Sequence, residues 1–247
     1  MRLDIALVTW GLVPSRARAK DLIDRGLVTL NGEVLRKPNK KMSVDDRDQL
    51  IVQDFGWVSR SALKLVAALD HFDSENQLVP HQFCLDVGAS TGGFTQVLLD
   101  RGAQHVVALD VGHDQLHPSL AADPRVTNLQ GQNARDLQAS QLNQPPQILV
   151  SDVSFISLTL AMPPAMAIAP AGAHLFALIK PQFEIGKGQL GKGGIVRDET
   201  VREAVILELI DWFASRPGWR VRGYIDSPVE GPDGNREAIV FASKDAA

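Results

Sequence analysis

Cysteine is almost absent from this 247-residue sequence, in which Cys84 is the only one. A single cysteine rules out an internal disulfide bond and favours a reducing compartment. Long apolar runs are also missing. The most apolar region, residues 158–178, is interrupted by prolines, and no run reaches the roughly 20 residues of a membrane-spanning helix. The apolar N-terminal stretch is short and carries Asp4. We therefore expect no secretory signal and a cytoplasmic location.

Positive charge is in deficit overall, because 25 basic residues face 29 acidic ones and give a net charge of −4. The deficit is uneven along the chain. Residues 1–60 hold 11 basic and 8 acidic residues, a balance of +3, whereas the remainder holds 14 against 21, a balance of −7. Local charge decides the affinity for phosphate groups, so the N-terminal segment is a candidate contact for nucleic acid.

The N-terminal segment has the pattern of a small α+β module. Ser15 can cap a helix over residues 16–25, which Gly26 can end in a left-handed conformation. The pair Asn31-Gly32 separates two β-prone runs and predicts a hairpin, and residues 49–52 can supply a further strand. Basic side chains follow the helix and the hairpin, where they can meet successive backbone phosphates. The candidate RNA contacts are Arg16, Arg18, Lys20, Arg25, Arg36, Lys37, Lys40 and Lys41. The alternative is a solvated basic face that Asp21 and Asp24 partly neutralise.

The remainder of the chain has the pattern of a larger α/β domain. Apolar strand-like runs occur at residues 83–87, 105–109, 125–129, 148–150, 174–179, 220–225 and 238–242. The first five alternate with helical stretches such as residues 93–101 and 157–168, which predicts a parallel sheet with helices on both faces. The last two can form an antiparallel pair at one end of that sheet. Ser59 can cap a helix over residues 60–72. We expect one domain at 1–54, a linker at 55–58 and a second domain at 59–247.

The stretch at residues 84–94, CLDVGASTGGF, admits three interpretations. It contains G-x-S-x-G, but a nucleophile elbow also needs a later acid and a histidine, and no histidine lies near the C-terminal end of the sheet. Its glycine spacing fits the dinucleotide pattern G-x-G-x-x-G badly. The form D-x-G-x-x-x-G-G-F is typical of S-adenosylmethionine-dependent methyltransferases. Ligands in such sheets bind at the carboxyl ends of the strands. The candidate cofactor contacts in this loop are Asp86, Gly88, Ser90, Gly92, Gly93 and Phe94.

Polar residues that follow the neighbouring strands extend this candidate site. Asp110 ends the second strand of the sheet, where an acid can accept hydrogen bonds from both ribose hydroxyls of a nucleoside. Asn133 follows the third strand, where a nucleobase would lie, although a plain turn asparagine fits equally well. Asp152 and Lys180 end the fourth and fifth strands and face the same crevice. A lysine that ends a buried strand is unusual, because its burial must be offset by a partner.

Taken together, these motifs resemble a known family. Residues 1–52 are similar to the small RNA-binding module first known from a ribosomal small-subunit protein, through R-L-D near the start, S-R followed by L-I and G in the helix, and V-T-L-N-G in the hairpin. Residues 56–247 resemble the ribose 2′-O-methyltransferases of the FtsJ type, through VSRSALKL, DVGASTGGFT, SDVSFIS, KPQFE, GKGGIVRD and GNRE. The whole chain resembles the TlyA family, also called haemolysin A. A departure from the family pattern is Ser61, where the family usually has glycine.

The resemblance implies a Rossmann-like methyltransferase sheet, S-adenosyl-L-methionine as the cofactor and ribosomal RNA of the small or large subunit as the partner, with a cytidine ribose as the target. It also implies a catalytic tetrad of Lys64, Asp152, Lys180 and Glu237, with Asp152 beside the cofactor. A ribose 2′-hydroxyl must be aligned with the methyl group and relieved of its proton, and Lys180 is the candidate base. The alternatives are a membrane-active haemolysin and a catalytically silent RNA-binding protein.

Two further patterns exclude rather than suggest a site. Residues 186–193, GKGQLGKG, nearly match a phosphate-binding P-loop, but Gly193 stands where Ser or Thr must bind magnesium. We expect an active-site loop there instead of a nucleotide site. The histidines lack the spacing of metal ligands, so no metal is expected.

Overall fold

The computed structural model describes residues 1–13, 15–24, 26–53, 56–185, 190–191, 193–231 and 234–245. The chain separates into two compact units, Met1–Trp57 and Val58–Ala247. The stretch 186–193, for which an active-site loop is predicted, lies largely outside the described residues. In the part of the chain that is described, no helix is long and apolar enough to cross a membrane, and no cluster of three or more His, Cys, Asp or Glu could hold a metal ion.

The N-terminal unit consists of two helices packed on a three-stranded sheet. Helices α1 (Leu3–Thr9) and α2 (Arg16–Asp24) precede β1 (Val28–Leu30), β2 (Glu33–Val34), a 3-10 helix (Val44–Gln49) and β3 (Leu50–Val52). The sheet is antiparallel in the order β2-β1-β3. The predicted hairpin turn has positive φ at both Asn31 and Gly32, as a type I′ turn requires. Helix α1 was not predicted. Its apolar residues Leu3, Ala6 and Leu7 are fully buried in the core of this unit.

The C-terminal unit is built on a seven-stranded sheet. Its strands are β4 (Phe83–Val87), β5 (His105–Asp110), β6 (Val126–Gln130), β7 (Ile148–Ser151), β8 (His174–Ile179), β9 (Trp219–Asp226) and β10 (Ala238–Lys244). The order is β6-β5-β4-β7-β8-β10-β9. The first five are parallel, and β10 pairs antiparallel with both β8 and β9. This confirms the predicted fold: a mostly parallel, Rossmann-like sheet with an antiparallel pair at one edge.

Burial along the strands explains their patterns in the sequence. Every residue of β4 and β7 is buried, because helices cover both faces of the central parallel strands, and such strands read as continuous apolar runs. Strand β9 lies at the edge and alternates between less and more exposed residues along its length. Cys84 lies within β4 and is fully buried, so it serves as a small apolar core residue.

The remaining helices pack around this sheet. They are α3 (Ala62–Phe72), α4 (Gly93–Asp100), α5 (Pro118–Ala121), α6 (Leu158–Ala161), α7 (Pro163–Ile168), α8 (Pro181–Glu184) and α9 (Glu199–Ala214). The sequence did not reveal α9. Its buried residues include Val205, Ile206, Leu209 and Phe213, but Leu207 is 49% exposed on the same helix, so the apolar pattern is not confined to one face.

Two predicted helix boundaries are wrong. Ser59 does not cap α3, which begins at Ala62. The Ser59 hydroxyl instead accepts a hydrogen bond from the Ser61 N–H and pairs with the Ser61 hydroxyl at 2.8 Å, so a tight turn precedes the helix. The single helix predicted over residues 157–168 is divided into α6 and α7. Pro163 starts the second piece, because proline has no N–H to continue the first.

We predict that Leu85→Ala lowers the free energy of unfolding by about 2–5 kcal/mol, because it empties space between fully covered strands. Leu85 is fully buried in the central strand β4. The matched control is Leu207→Ala on α9, which removes the same atoms from a half-exposed site and should change stability by less than about 1 kcal/mol. Urea denaturation followed by circular dichroism measures both. Equal losses for the two variants would contradict the assignment of this core.

Candidate active site

Three polar residues meet at the carboxyl ends of the parallel strands because of the order and direction of the strands in the large sheet. Asp152 directly follows β7 and Lys180 directly follows β8. Because these neighbouring strands are parallel, their carboxyl ends lie side by side. Strand β10 runs the other way, and its first residue, Ala238, pairs with Ile179 at the end of β8. Glu237, which precedes β10, therefore lies beside the carboxyl end of β8 too. An insertion of β10 parallel to β8 would have placed Glu237 at the opposite end of the sheet.

The lysines of the predicted tetrad form two separate ion pairs. Lys64, in the first turn of α3, lies 2.5 Å from Glu237 between Nζ and Oε2. Lys180 Nζ lies 2.6 Å from Asp152 Oδ1 and donates a hydrogen bond to Ser154 Oγ at 2.8 Å. Both lysines are buried, with 5% and 8% of their surface exposed, and buried ammonium groups persist only when they are paired.

These pairs adjoin a cavity of about 260 Å³. Lys64, Asp152 and Lys180 line it, together with residues of the glycine loop. Glu237 does not line the cavity. It lies behind Lys64, with 2% of its surface exposed and one carboxylate oxygen, Oε1, without a hydrogen-bond partner among the described residues. The geometry therefore gives three side chains that can touch a bound molecule and a fourth that holds one of them.

Asp86 is the most deeply buried acid of the site. It is fully inaccessible, and burial raises its pKa to about 7. Its Oδ2 accepts a hydrogen bond from the Thr95 hydroxyl at 2.7 Å, whereas Oδ1 has no partner in the described part of the chain. Asp86 lines the same cavity as the lysines. A buried carboxylate oxygen without a donor is costly, so this atom is where a ligand's N–H group would be accommodated.

The glycine loop borders this cavity and contains backbone conformations that favour glycine. Gly88 has φ +84°, and a Cβ there would approach Val153 Cγ1 to 3.0 Å. Ser90 also has positive φ, at +48°, which is uncommon outside glycine. Gly88, Ser90 and Phe94 line the cavity, but Gly92 and Gly93 do not. Those two allow close packing instead, Gly92 against Leu120 and Gly93 against the hydroxyl of Ser61. The serine that departs from the family pattern thus touches the start of α4.

Asp110 and Asn133 line a second cavity of about 520 Å³. Asp110 Oδ2 accepts from the Ser90 N–H and Oδ1 from the Gly112 N–H, both at 2.8 Å. Asn133 Oδ1 accepts from the Arg135 N–H at 3.1 Å, so this side chain caps a short turn. The two cavities share Gly88, Ser90, Asp152 and Ser154 as lining residues. Apart from Gly92 and Gly93, the candidate cofactor contacts predicted from the sequence therefore line two adjoining cavities.

An exposed aromatic residue at this site was not predicted. Phe155 is 91% exposed, has φ +64° and lines the second cavity. Its ring lies 4.9 Å from that of Phe183, and Lys180 Nζ lies 5.9 Å from the Phe183 ring centre. A phenylalanine in the left-handed region is strained, and such strain gathers at functional sites. One signal for it is present in the sequence, where an aromatic residue directly follows the polar end of a strand in Asp152-Val153-Ser154-Phe155.

Three consecutive residues join the segments around Glu237. Asn235 is buried, its Oδ1 accepts from the Val196 N–H at 2.9 Å and its Nδ2 donates to the Gly194 carbonyl at 3.1 Å. Arg236 forms ion pairs with Glu199 at the start of α9 and with Asp226 at the end of β9. Arg202 contacts the same two acids. Glu237, whose carboxylate pairs with Lys64, is thus held in place by the contacts of the two residues that precede it, just before β10 begins.

The basic residues of the N-terminal unit are mostly at its surface. Arg16, Lys20, Arg36, Lys37 and Lys41 are exposed, and Arg18 and Lys40 are partly exposed. Arg25 lies outside the described residues. Arg16 forms an ion pair with Asp4 at 2.8 Å and Arg18 with Asp21 at 2.9 Å. The structure adds Arg2, which also contacts Asp4 and was absent from the predicted set.

Comparison with known proteins gives a family. Residues 57–244 match the model of the FtsJ-like methyltransferases, and residues 1–48 match the S4 domain. The Mycobacterium tuberculosis protein named 16S/23S rRNA (cytidine-2'-O)-methyltransferase TlyA is 45% identical over 242 residues, which cover 97% of this chain and 88% of the relative. Hemolysin A of Brachyspira hyodysenteriae is 39% identical over 241 residues, with 97% and 98% covered. The solved structure of a hemolysin-named protein from Streptococcus thermophilus is 38% identical, covers 100% of this chain and 89% of its own, and has a TM-score of 0.75.

The buried state of Asp86 generates a pH-dependent prediction. Its folded pKa of about 7 lies above the ordinary value of 3.8. Below about pH 4 the group is protonated in both states, and as the pH rises toward 7 the unfolded chain releases this proton while the folded chain retains it, so the free energy of unfolding falls. Asp86→Asn abolishes this term. The stability of Asp86→Asn minus that of the wild type should therefore rise by about 4 kcal/mol between pH 4 and pH 8. Urea denaturation across this range measures it, and a difference that stays constant with pH would contradict the assignment.

Proposed function

The chain belongs to the FtsJ-like methyltransferase family, within the group named TlyA or hemolysin A, and on that premise we propose that it transfers a methyl group from S-adenosylmethionine to a ribose 2′-hydroxyl of ribosomal RNA. The observation that carries this proposal is the cavity where Lys64, Asp152 and Lys180 meet beside Asp86. It places candidate proton-transfer groups next to a candidate cofactor loop, and both are needed to methylate a weakly acidic alcohol.

The residues of the two cavities fit the cofactor. S-adenosylmethionine supplies a methyl group on a positively charged sulfur and carries an α-ammonium group, two ribose hydroxyls and an adenine ring. The free Oδ1 of Asp86 is an acceptor for the ammonium group. Each carboxylate oxygen of Asp110 already accepts one backbone N–H and retains a lone pair for a ribose hydroxyl. Val111 and Ile156, together with Asn133, provide a mostly apolar wall for the adenine.

Lys180 is our candidate for the group that takes the proton from the 2′-hydroxyl. Asp152 and Ser154 hold its Nζ at 2.6 and 2.8 Å, so the amine has a defined position at the cavity. Once its ammonium group has released a proton to solvent, neutral Lys180 would accept the hydroxyl proton while the 2′-oxygen bonds to the methyl carbon. The bond between that carbon and the cofactor sulfur would break at the same time and leave a neutral thioether, and Lys180 would then return the proton to water. Lys64, held by Glu237 from behind, presents N–H donors that can orient the ribose oxygens.

Phe155 and Phe183 are our candidates for a platform that holds the target nucleobase. An aromatic ring with 91% of its surface exposed is suited to stack on an unpaired base. The pair lies beside Lys180, so a base stacked there would bring its own ribose toward the amine. Phe155 combines this exposure with a positive φ, a strained conformation of the kind that gathers at ligand sites.

The finer identity of the substrate comes from the relatives. The Mycobacterium tuberculosis relative is named for cytidine methylation in both 16S and 23S ribosomal RNA, so we propose a cytidine in one or both ribosomal RNAs as the target. The S4 domain and its exposed basic residues provide the RNA-binding unit. The cytoplasmic location predicted from the sequence is consistent with a ribosomal RNA substrate. The paired tetrad argues against a catalytically silent RNA-binding protein, and the haemolysin alternative explains none of these contacts.

We expect Lys180→Met to reduce methyl transfer by at least about 100-fold, because the variant lacks the proton acceptor. Calorimetry should show an unchanged Kd for S-adenosylmethionine. Lys180→Arg is the matched control, since it keeps the positive charge but cannot give up its proton. Mapping 2′-O-methyl positions in ribosomal RNA from cells with and without the protein identifies the product. Full turnover by Lys180→Arg would exclude Lys180 as the base, and an absence of any protein-dependent 2′-O-methyl group would exclude the function.

Phe155→Ala should raise the KM for RNA by about 10-fold or more, because it removes the stacking energy of one base. The Kd for the cofactor should change little. Phe155→Tyr preserves the ring and should behave like the wild type. Leu160→Ala, which shortens a side chain that is 55% exposed on the next helix, controls for the loss of apolar surface. A rise in KM equal for Phe155→Ala and Leu160→Ala would argue against a specific platform.

A further inference from the structure

A buried carboxylate lies among the cations of the N-terminal unit. Asp4 is 5% exposed, and it contacts two arginines. Arg2 donates from Nε to Oδ1 at 2.9 Å and from Nη2 to Oδ2 at 3.3 Å, and Arg16 donates from Nη2 to Oδ2 at 2.8 Å. The two guanidinium groups hold the pKa of Asp4 at about 2, so the carboxylate is ionised at any physiological pH.

The backbone brings a third segment to the same place. The N–H groups of Leu3 and Asp4 donate to the carbonyls of Lys40 and Pro38, at 2.8 and 3.0 Å. Arg2, Asp4, Arg16, Lys20, Pro38 and Asn39 consequently line one open depression of about 430 Å³. Lys20 lies one helical turn after Arg16 on α2, so the two cations share a face of that helix. Three basic side chains and an amide thus surround one negative group.

Both arginine side chains are largely exposed where they line this depression. The side chains of Arg2 and Arg16 are 51% and 61% exposed, whereas that of Asp4 is 6% exposed. Each guanidinium has five N–H donors in a planar fork. Among the described residues, Arg2 contacts Asp4 through Nε and Nη2 and Arg16 through Nη2 alone, which leaves further N–H groups on both exposed guanidinium groups for a ligand. Forks of this kind match the oxygens of a phosphate group.

Two opposite effects of Asp4 on phosphate binding can be separated. As a negative charge it weakens the attraction for an anion. As a hydrogen-bond acceptor it fixes two flexible side chains before the ligand arrives, which removes part of the entropy cost of binding. Its burial keeps the charge away from the open side of the depression, while its bonds act directly on both arginines. The structure therefore favours orientation over repulsion.

We propose that Asp4 is a positioning residue that holds Arg2 and Arg16 as a paired receptor for phosphate groups of the RNA backbone. Lys20 and Asn39 border this receptor and add a charge and an amide donor. The inference rests on the proposed RNA substrate. It goes further, because it assigns a favourable role in RNA binding to an acidic residue and adds Arg2 to the contact set.

The test compares two acids of the same unit. Asp4→Asn removes a charge from the basic surface and loosens both arginines, whereas Asp21→Asn removes a charge that lies 2.9 Å from Arg18 within the same helix. Filter binding of the full-length protein to a labelled double-helical RNA hairpin gives both Kd values. We expect Asp4→Asn to raise Kd about five-fold or more, and Asp21→Asn to leave Kd unchanged or lower it. Circular dichroism melting verifies that both variants are folded.

A second variant keeps the proposal testable if Asp4→Asn does not fold. Arg2→Lys keeps the charge but lacks the planar fork, and it should raise Kd in the same way. A folded Asp4→Asn protein that binds the hairpin as tightly as the wild type, or an Arg2→Lys protein with wild-type Kd, overturns the inference. Neither result would contradict the proposed function, because methyl transfer by the wild type is measured in a separate experiment. A wild-type chain that binds no RNA overturns both proposals.

Discussion

Two lysines are buried beside the carboxyl ends of the parallel strands, and each is paired with its own carboxylate. The rest of this site depends on these two ion pairs. Removing an ammonium group from water costs several kcal/mol, so neither lysine would stay inside without a close acid. The acids come from distant parts of the chain, Asp152 from the end of β7 and Glu237 from the residue before β10. The reversed direction of β10 is therefore more than a feature of topology, because it delivers the partner that Lys64 needs.

Much of this arrangement was predictable because it depends on strong local patterns. The five parallel strands are continuous apolar runs, and the glycine loop follows the first of them, so both the sheet and the position of Asp86 could be inferred. Asp152 and Lys180 stood out because a charged residue that ends an apolar strand needs a partner. Glu237 was different. Its spacing carries no signal, and only the family resemblance indicated it, since its pairing with Lys64 spans 173 residues.

The features that escaped prediction have identifiable physical causes. Helix α9 carries apolar residues beyond its buried face, which hides its period. The turn at Ser59 and Ser61 replaces an expected cap because two hydroxyls bond to each other beside Gly93. Phe155 is exposed and has a positive φ, and both are uncommon for phenylalanine, so no sequence pattern indicates them. Arg2 was not predicted as an RNA contact because a single arginine near the start of the sequence carries no pattern. Its ion pair with Asp4 is visible only in the structure.

The alternation at Asn235, Arg236 and Glu237 has a consequence for the length of this segment. The first and third side chains face inward, to the Gly194–Val196 backbone and to Lys64, and the middle one faces outward to Glu199 and Asp226. An extended chain changes face with every residue, so losing or gaining one position here would turn an arginine inward and a carboxylate outward. The contacts of these three side chains therefore require a fixed number of residues between Asn235 and β10.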